Sequence, residues 1–352
     1  MSVPSTAPAS QHRWRVGRRL RAMAGWKKAL LGLGVLLLVL ATGTAIGAYA
    51  LVNRYQSKVS RTDLLGTVAK PKDEQRWKSG PLNLLLLGSD SREGEPDQGR
   101  FPGERSDTIM LVHISKNLDK ATVISLPRDS YVNVPAAGPW EGGMNKLNSA
   151  FAFGGAPHAA KTITELTGVQ FDGAVIANFA SIRKLVDLVG GVNVCVPYDV
   201  RSTFSSKVWS KGCHDLDGDE AEEFVRQRKE VPGGDFGRIH DQQLVVKGIM
   251  EKVNADGMLT NPLRLDSLLV TAAQALTIDK SVDLQELVLA ARQVKPANVK
   301  YATVPYTSAN LQTPAGSAVK LDDSKAAAMF AAVRDDTIQE WLEANPQKAP
   351  EG

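Results

Sequence analysis

From Ala29 to Val52 the chain runs for 24 residues without a charge, through Ala-Leu-Leu-Gly-Leu-Gly-Val-Leu-Leu-Leu-Val-Leu and onward. A helix rising ~1.5 Å per residue over that length crosses the roughly 30 Å hydrocarbon core of a bilayer with length to spare. A basic block from Arg13 to Lys28 precedes the run. The positive-inside bias therefore puts the N-terminus in the cytoplasm and everything after residue 53 outside. A secretory leader cut after Ala48-Tyr49-Ala50 is the rival reading. Such a leader has a short apolar region, whereas this one continues through the cleavage site. The expected organisation is a cytoplasmic basic tail over 1–28 and a single transmembrane anchor over 29–52. A polar extracytoplasmic stalk over 53–80 and one domain over 81–345 follow.

The charge distribution supports that division. No acidic residue precedes Asp63, and the ten basic residues before it carry +10, leaving −6 for the rest of a chain whose formal charge is +4. The excess positive charge is thus a feature of one end, a topology signal rather than a nucleic-acid-binding surface. Only two cysteines occur, Cys195 and Cys213. Outside the cytoplasm a bridge between them is expected, closing a loop worth about 3 kcal/mol in the chain-entropy picture. The bland alternative makes Cys195, within Val-Cys-Val, a buried apolar residue and Cys213 a loop thiol.

After residue 80, short runs rich in Leu, Val and Ile alternate with helical patterns. Leu82–Gly88, Ile109–Ile114, Thr122–Leu126, Ala174–Phe179, Val192–Val196 and Val299–Val304 are predicted strands. Helices are predicted over Lys146–Phe153, Pro157–Leu166, Ile182–Val189, Asp219–Gln227 and Arg238–Asn254, then near 264–276, 284–294 and 323–334. This interleaving predicts a single α/β/α sandwich domain on a central mixed sheet, preceded by one N-terminal transmembrane helix. The strand order is not readable.

Charged residues gather at the strand ends. Leu84–Leu87 runs into Gly88-Ser89-Asp90-Ser91-Arg92, Arg105-Ser106-Asp107-Thr108 leads into the next strand, and Ile124–Leu126 runs into Pro127-Arg128-Asp129. Further on come Val225-Arg226-Gln227-Arg228, Asp235, Arg238 and Gln242. In an open α/β sheet, ligands gather outside the carboxyl ends of strands. Arginine holds phosphate oxygens with a planar fork and keeps its charge, while carboxylates hold the Mg²⁺ that bridges such oxygens. One Arg–Asp pair at a strand end is ordinarily a self-neutralising ion pair. Several around one sheet point to an anion site, because burying many arginines for stability alone gains little.

Taken in order, these segments resemble the LytR–CpsA–Psr phosphotransferases of the bacterial cell envelope. Leu84–Arg92 is similar to the family's strand into G-x-D-x-R, Arg105–Thr108 to R-S-D-T, and Ser125–Asp129 to S-I-P-R-D. Lys146–Phe151 with Gly154-Gly155 resembles K-I-N-x-A-Y…G-G, and Leu185–Asp187 with Gly190–Val192 resembles V-D-x-x-G-G-V. Val225–Arg228, Asp235, Arg238 and Asp241–Gln243 resemble the closing V-R-x-R…D-x-x-R-x-x-Q. The resemblance runs from about Leu82 to Lys252, and no accessory domain of the kind some relatives carry fits between 53 and 80.

What the resemblance implies is a Mg²⁺-dependent phosphotransferase at the outer membrane face. Its donor is a glycopolymer on polyprenyl pyrophosphate, its acceptor a peptidoglycan sugar hydroxyl, and its products a phosphodiester link and polyprenyl phosphate. By motif position, Asp90 and Asp107 hold the metal. Arg105, Arg128, Arg226 and Arg228 grip the pyrophosphate, supported by Arg238 and Gln242, with Arg92 and Lys146 as further members. Asp235 positions Arg226 and Arg228 or acts nearby. The acceptor's proton goes to Asp107, to Asp235 or to neither, if a metal polarises the hydroxyl; the sequence does not choose. A lipid substrate also needs a greasy tunnel. Leu147, Phe151, Phe153, Ile249, Leu268 and Leu269 offer apolar helical faces for one, although such faces usually form core. The alternative is an anchored regulatory or glycan-binding protein without catalysis. A serine hydrolase built on Ser89 or Ser91 lacks the G-x-S-x-G elbow.

Overall fold

The computed structural model describes residues 60–71, 73–89, 106–228 and 231–346. The expectations for the basic tail, the anchor, Asp90, Arg92 and Arg105 lie outside the described residues. Among the described residues no helix is long and apolar enough to cross a membrane.

The chain begins with β1 (Ser60–Thr62), α1 (Glu74–Ser79), β2 (Leu82–Ser89), β3 (Ser106–Ile114), β4 (Ala121–Ser125), β5 (Tyr131–Val134) and β6 (Gly143–Lys146). Then come α2 (Ser149–Thr167), β7 (Gly173–Asn178), α3 (Phe179–Leu188), β8 (Val192–Val196), β9 (Val200–Arg201), β10 (Val208–Trp209) and β11 (Gly212–Leu216). Helices α4 (Gly218–Val225), α5 (Asp235–Ala255) and α6 (Pro262–Ala275) lead to β12 (Leu276–Asp279) and α7 (Leu284–Ala291). The chain closes with β13 (Val299–Thr303), β14 (Tyr306–Thr313), β15 (Gly316–Leu321), α8 (Asp323–Arg334) and α9 (Ile338–Ala344).

A seven-stranded sheet of order β1-β12-β7-β2-β3-β4-β13 runs through the middle. It is mixed: β2 pairs parallel with β7 but antiparallel with β3, and β4 pairs parallel with β13. Side chains alternate across a strand, and the apolar run of β2 serves both faces. Leu85 and Leu87, with Ile109 and Leu111 of β3, enter a cluster with Phe151 and Ile163 of α2 and Met329 of α8. Leu86 and Met110 point the other way, toward Ile182 of α3 and Val246 and Ile249 of α5. Helices therefore flank both faces. Truncating a fully buried residue such as Leu85 to Ala costs on the order of 2–5 kcal/mol.

Local signals explain the helix ends near the site. Asn178 and Ser181 form a reciprocal capping box that starts α3 directly from β7. Asp217 caps α4 by accepting from the Glu220 amide. In α2 the two predicted helices are one element kinked at Gly154-Gly155. A Cβ at Gly154 would lie 2.6 Å from that of His158, and Gly155 has φ +68°. The helical part begins at Ser149 rather than Lys146, because Lys146 closes the β5–β6 hairpin. Helix α4 stops at Val225, short of Gln227, whose buried side chain accepts from the Thr203 amide.

The expected stalk differs over its described part. Strand β1 pairs with β12, and Leu64, Leu65 and Trp77 are buried. The Leu64 and Leu65 amides donate to Asp279 at 2.7 and 3.1 Å, and Lys70 and Arg76 both pair with buried Asp172. Several of its charges, those of Arg61, Lys70 and Arg76, are met from within the domain rather than only by water. Residues 60–80 are thus integral to the fold.

Cys195 and Cys213 stand directly opposite one another on antiparallel β8 and β11 and are joined by a disulfide. The pair edges a second apolar cluster built on Trp209, Phe224, Tyr198 and Val245.

Candidate active site

Three arginines and a lysine converge at the ends of β3 and β4 and the start of α5. Arg128 follows β4 on a turn fixed by its own backbone: its carbonyl accepts from the Asn148 amide at 2.9 Å, and the Leu126 amide donates to the Ile109 carbonyl at 2.8 Å. Its guanidinium pairs with Asp107, and its Nε lies 3.4 Å from Asp235 and 3.8 Å from Asp129. Arg238, one turn into α5, reaches Asp235 at 2.7 Å and donates to the Asp107 carbonyl at 3.2 Å. Arg228 lies 3.9 Å from Asp235. Lys146, at the end of β6, is 3.4 Å from Asp129.

Asp235 is the hub: one of its oxygens faces Arg128, Arg228 and Arg238 together. Among the described residues, four cations share three carboxylates here. Nε of Arg128, Nε of Arg238 and Oε1 of Gln242 are buried without a hydrogen-bond partner among the described residues. Buried polar atoms left unpaired are costly, and a bound anion would supply acceptors for the two Nε–H donors. Burial weighs against the charge of Arg128, but Asp235, Asp107 and Asp129 outweigh it and raise its pKa. For Arg238 burial prevails, aided by repulsion from Arg128, and its pKa is lowered despite Asp235. Both remain cations, since arginine starts far above neutrality.

Beside this cluster lies a cavity of about 250 Å³ between the sheet and helices α3 and α5. Leu86, Met110, Val175, Ile182, Val246 and Ile249 give it an apolar wall, while Asp107 and Gln242 stand at its polar end. Of the residues expected to line a tunnel, Ile249 does. Leu147 and Phe151 belong to the core on the other side of the sheet, with Phe153 packed against that core; Leu269 is buried and Leu268 packs against the second cluster.

The described members of the expected set fall into two groups. Asp107, Arg128, Lys146, Arg228, Asp235 and Arg238 form the ion-pair cluster, and Gln242 borders the cavity with Asp107. Arg226 stands apart from the cluster. Its guanidinium lies 5.0 Å from the Phe179 ring and 4.7 Å from that of Phe204, with Glu222 at 3.2 Å. One of those two rings, Phe179, is a wall of the cavity, but Arg226 itself does not line it. Asp129 and Phe179 were missing from the expected site. Asp129 was signalled by its place beside Arg128 in Pro-Arg-Asp; no motif signalled Phe179. Among the described residues no group of three or more His, Cys, Asp or Glu is placed to hold a metal.

The LytR_cpsA_psr family model matches residues 48–335. The chain belongs to this family. Among its relatives, "Probable cell wall biosynthesis protein LcpB" of Corynebacterium glutamicum is 31% identical over 90% of this chain and 74% of that protein. The polyisoprenyl-teichoic acid–peptidoglycan teichoic acid transferase TagU of Enterococcus faecalis is 34% identical over 58% of this chain and 63% of that one. A solved structure of TagT bound to LIIa-WTA superposes with a TM-score of 0.59 at 26% identity, covering 76% of this chain and 94% of that one.

Proposed function

We propose that this LytR_cpsA_psr protein moves a glycopolymer from a polyprenyl-pyrophosphate carrier to a peptidoglycan sugar hydroxyl. The observation that carries the reading is the shared carboxylate of Asp235, around which Arg128, Arg228 and Arg238 gather at the polar end of an apolar cavity. A charged head beside a greasy space suits a prenyl diphosphate, and relatives named for teichoic acid transfer to peptidoglycan support the substrate class.

In the reaction, the acceptor oxygen attacks the phosphorus that carries the glycopolymer. The bond from that phosphorus to the bridging oxygen breaks, and polyprenyl phosphate leaves with the electron pair. The hydroxyl proton passes to a carboxylate at the site, for which Asp107 and Asp235 are the candidates, or to solvent. Phosphoryl transfer asks mainly for positioning and charge neutralisation. Arg128 and Arg238 supply that charge from buried, fixed positions, Arg228 from an exposed one. Arg226, packed against the Phe179 and Phe204 rings, would meet the diphosphate only from outside the cluster.

The expected magnesium ion would use Asp107, whose part-exposed carboxylate is paired with Arg128 and Arg238, together with Asp90, which lies outside the described residues. Bound by Asp90 and Asp107, the ion would neutralise charge on the diphosphate oxygens. The 24-residue apolar run and the disulfide support an anchored protein whose domain lies outside the cytoplasm.

The test measures polyprenyl phosphate released by the detergent-solubilised full chain, given a polyprenyl-pyrophosphate glycan and a peptidoglycan acceptor. Arg228→Ala should lower kcat/KM by about 100-fold with the thermal midpoint kept, because it leaves developing charge uncompensated. Arg128→Ala should lower it at least as far while also lowering the midpoint, because it strips part-buried Asp107 of its closest partner. Chelation should remove turnover and added Mg²⁺ restore it. Full turnover in Arg128→Ala would sink the assignment.

A further inference from the structure

The transfer proposed above needs two substrates of opposite character, and α5 separates two cavities of opposite character. Gln242, Val246 and Ile249 line the apolar cavity, whereas Phe236, Gln243 and Lys247 line a groove on the opposite face of the helix. That groove, about 910 Å³, is at the upper end of what a small-molecule site occupies and has room for several sugar rings. Its walls mix aromatic and polar side chains. Phe236 and Tyr306 stack with centroids 4.1 Å apart, Tyr306 being 43% exposed, and Trp341, Lys247, Lys325 and Asn345 complete the rim.

Both walls lead back to the ion-pair cluster. Phe236 directly follows Asp235 at the start of α5. The opposite wall begins at Tyr306 on the β14–β15 hairpin, and the Val319 amide of β15 donates to the Asp129 carbonyl at 2.8 Å. One end of the groove, at Gly233 and Phe236, thus flanks Asp235 in the chain, although Asp235 and Asp129 do not themselves line it. Aromatic faces pack against the apolar C–H faces of sugars, while amides and ammonium groups take hydroxyls and carboxylates. A prenyl chain is better suited by the apolar cavity on the other face of α5 than by this mixed polar and aromatic wall.

We infer that this groove receives the acceptor glycan strand, with Tyr306 and Lys325 as specificity-determining residues and the reacting hydroxyl delivered to the Asp235 end. The inference rests on the transferase reading, and direct binding tests it separately. The detergent-solubilised full chain is titrated calorimetrically with soluble glycan-strand oligosaccharides of peptidoglycan, and with a water-soluble short-chain prenyl diphosphate as the donor probe. The unaltered chain should bind both. Tyr306→Ala and Lys325→Ala, at exposed positions whose loss leaves the fold intact, should each weaken oligosaccharide binding about tenfold, the loss of one stacked ring or charged contact. Diphosphate affinity should stay unchanged. Oligosaccharide affinity unaltered in both variants would overturn the inference, as would no binding by the unaltered chain, or binding that appears only after residues 347–352 are removed. Glycan binding that responds to the variants, in a protein that releases no polyprenyl phosphate, would uphold the groove and refute the transfer chemistry.

Discussion

A single carboxylate oxygen set against three guanidinium groups is an arrangement that stability alone does not explain. Each added arginine brings a desolvation cost that one shared aspartate offsets only in part. Asp241 poses the inverse problem two turns along the same chain. It is fully buried, is approached by the Tyr198 hydroxyl at 3.3 Å, and keeps one oxygen without a partner among the described residues. Burial raises its pKa, against the opposing pull of His240 and Tyr198. A carboxyl whose folded pKa exceeds its unfolded value, about 3.9, stabilises the fold below that value and loses the contribution as pH rises through the folded one. Asp241→Asn should therefore raise the thermal midpoint at pH 7, and the gain should shrink to nothing as pH falls below about 4. A midpoint offset that stays constant across that range would show that charge burial is not what Asp241 costs.

The disulfide between β8 and β11 ties a two-stranded unit to the second apolar cluster, and its loop of 18 positions sets its expected worth. Replacing both cysteines with serine should lower unfolding stability by about 3 kcal/mol, read from the urea midpoint at unchanged slope. Loss of turnover without loss of stability would instead place the bridge at the site. The Cys195–Cys213 pairing was legible from compartment reasoning, and β2, β3, β4 and β7 from their unbroken apolar runs. Other elements carried no such signal. The β14 strand, Tyr-Thr-Ser-Ala-Asn-Leu-Gln-Thr, is largely exposed, so neither face shows a buried period. Residues 60–80 hide a buried Leu64-Leu65 and Trp77 among charges that pair internally. Within the site, arginines beside aspartates at strand ends were readable because backbone continuity puts them there. The stacking of Arg226 on Phe179 and Phe204 was not, since it depends on where a loop between β9 and β10 folds back.

Across the whole molecule, α5 works as a partition. Its first residue, Asp235, gathers the arginines, one flank closes the apolar cavity, and the other walls the aromatic groove. On the reading proposed above, the arrangement would keep two substrates of different polarity on separate faces of one helix. A partition has a consequence that a single shared pocket lacks: the two affinities can be changed one at a time. Ile249→Trp adds a large ring inside a cavity of about 250 Å³ and should raise the KM for the lipid-linked donor severalfold, as overfilling displaces the prenyl chain. Oligosaccharide affinity, read calorimetrically on the same preparation, should be unmoved, because the groove lies on the opposite face of the helix. If both affinities fall together while the thermal midpoint holds, the helix does not divide two sites, and donor and acceptor share one.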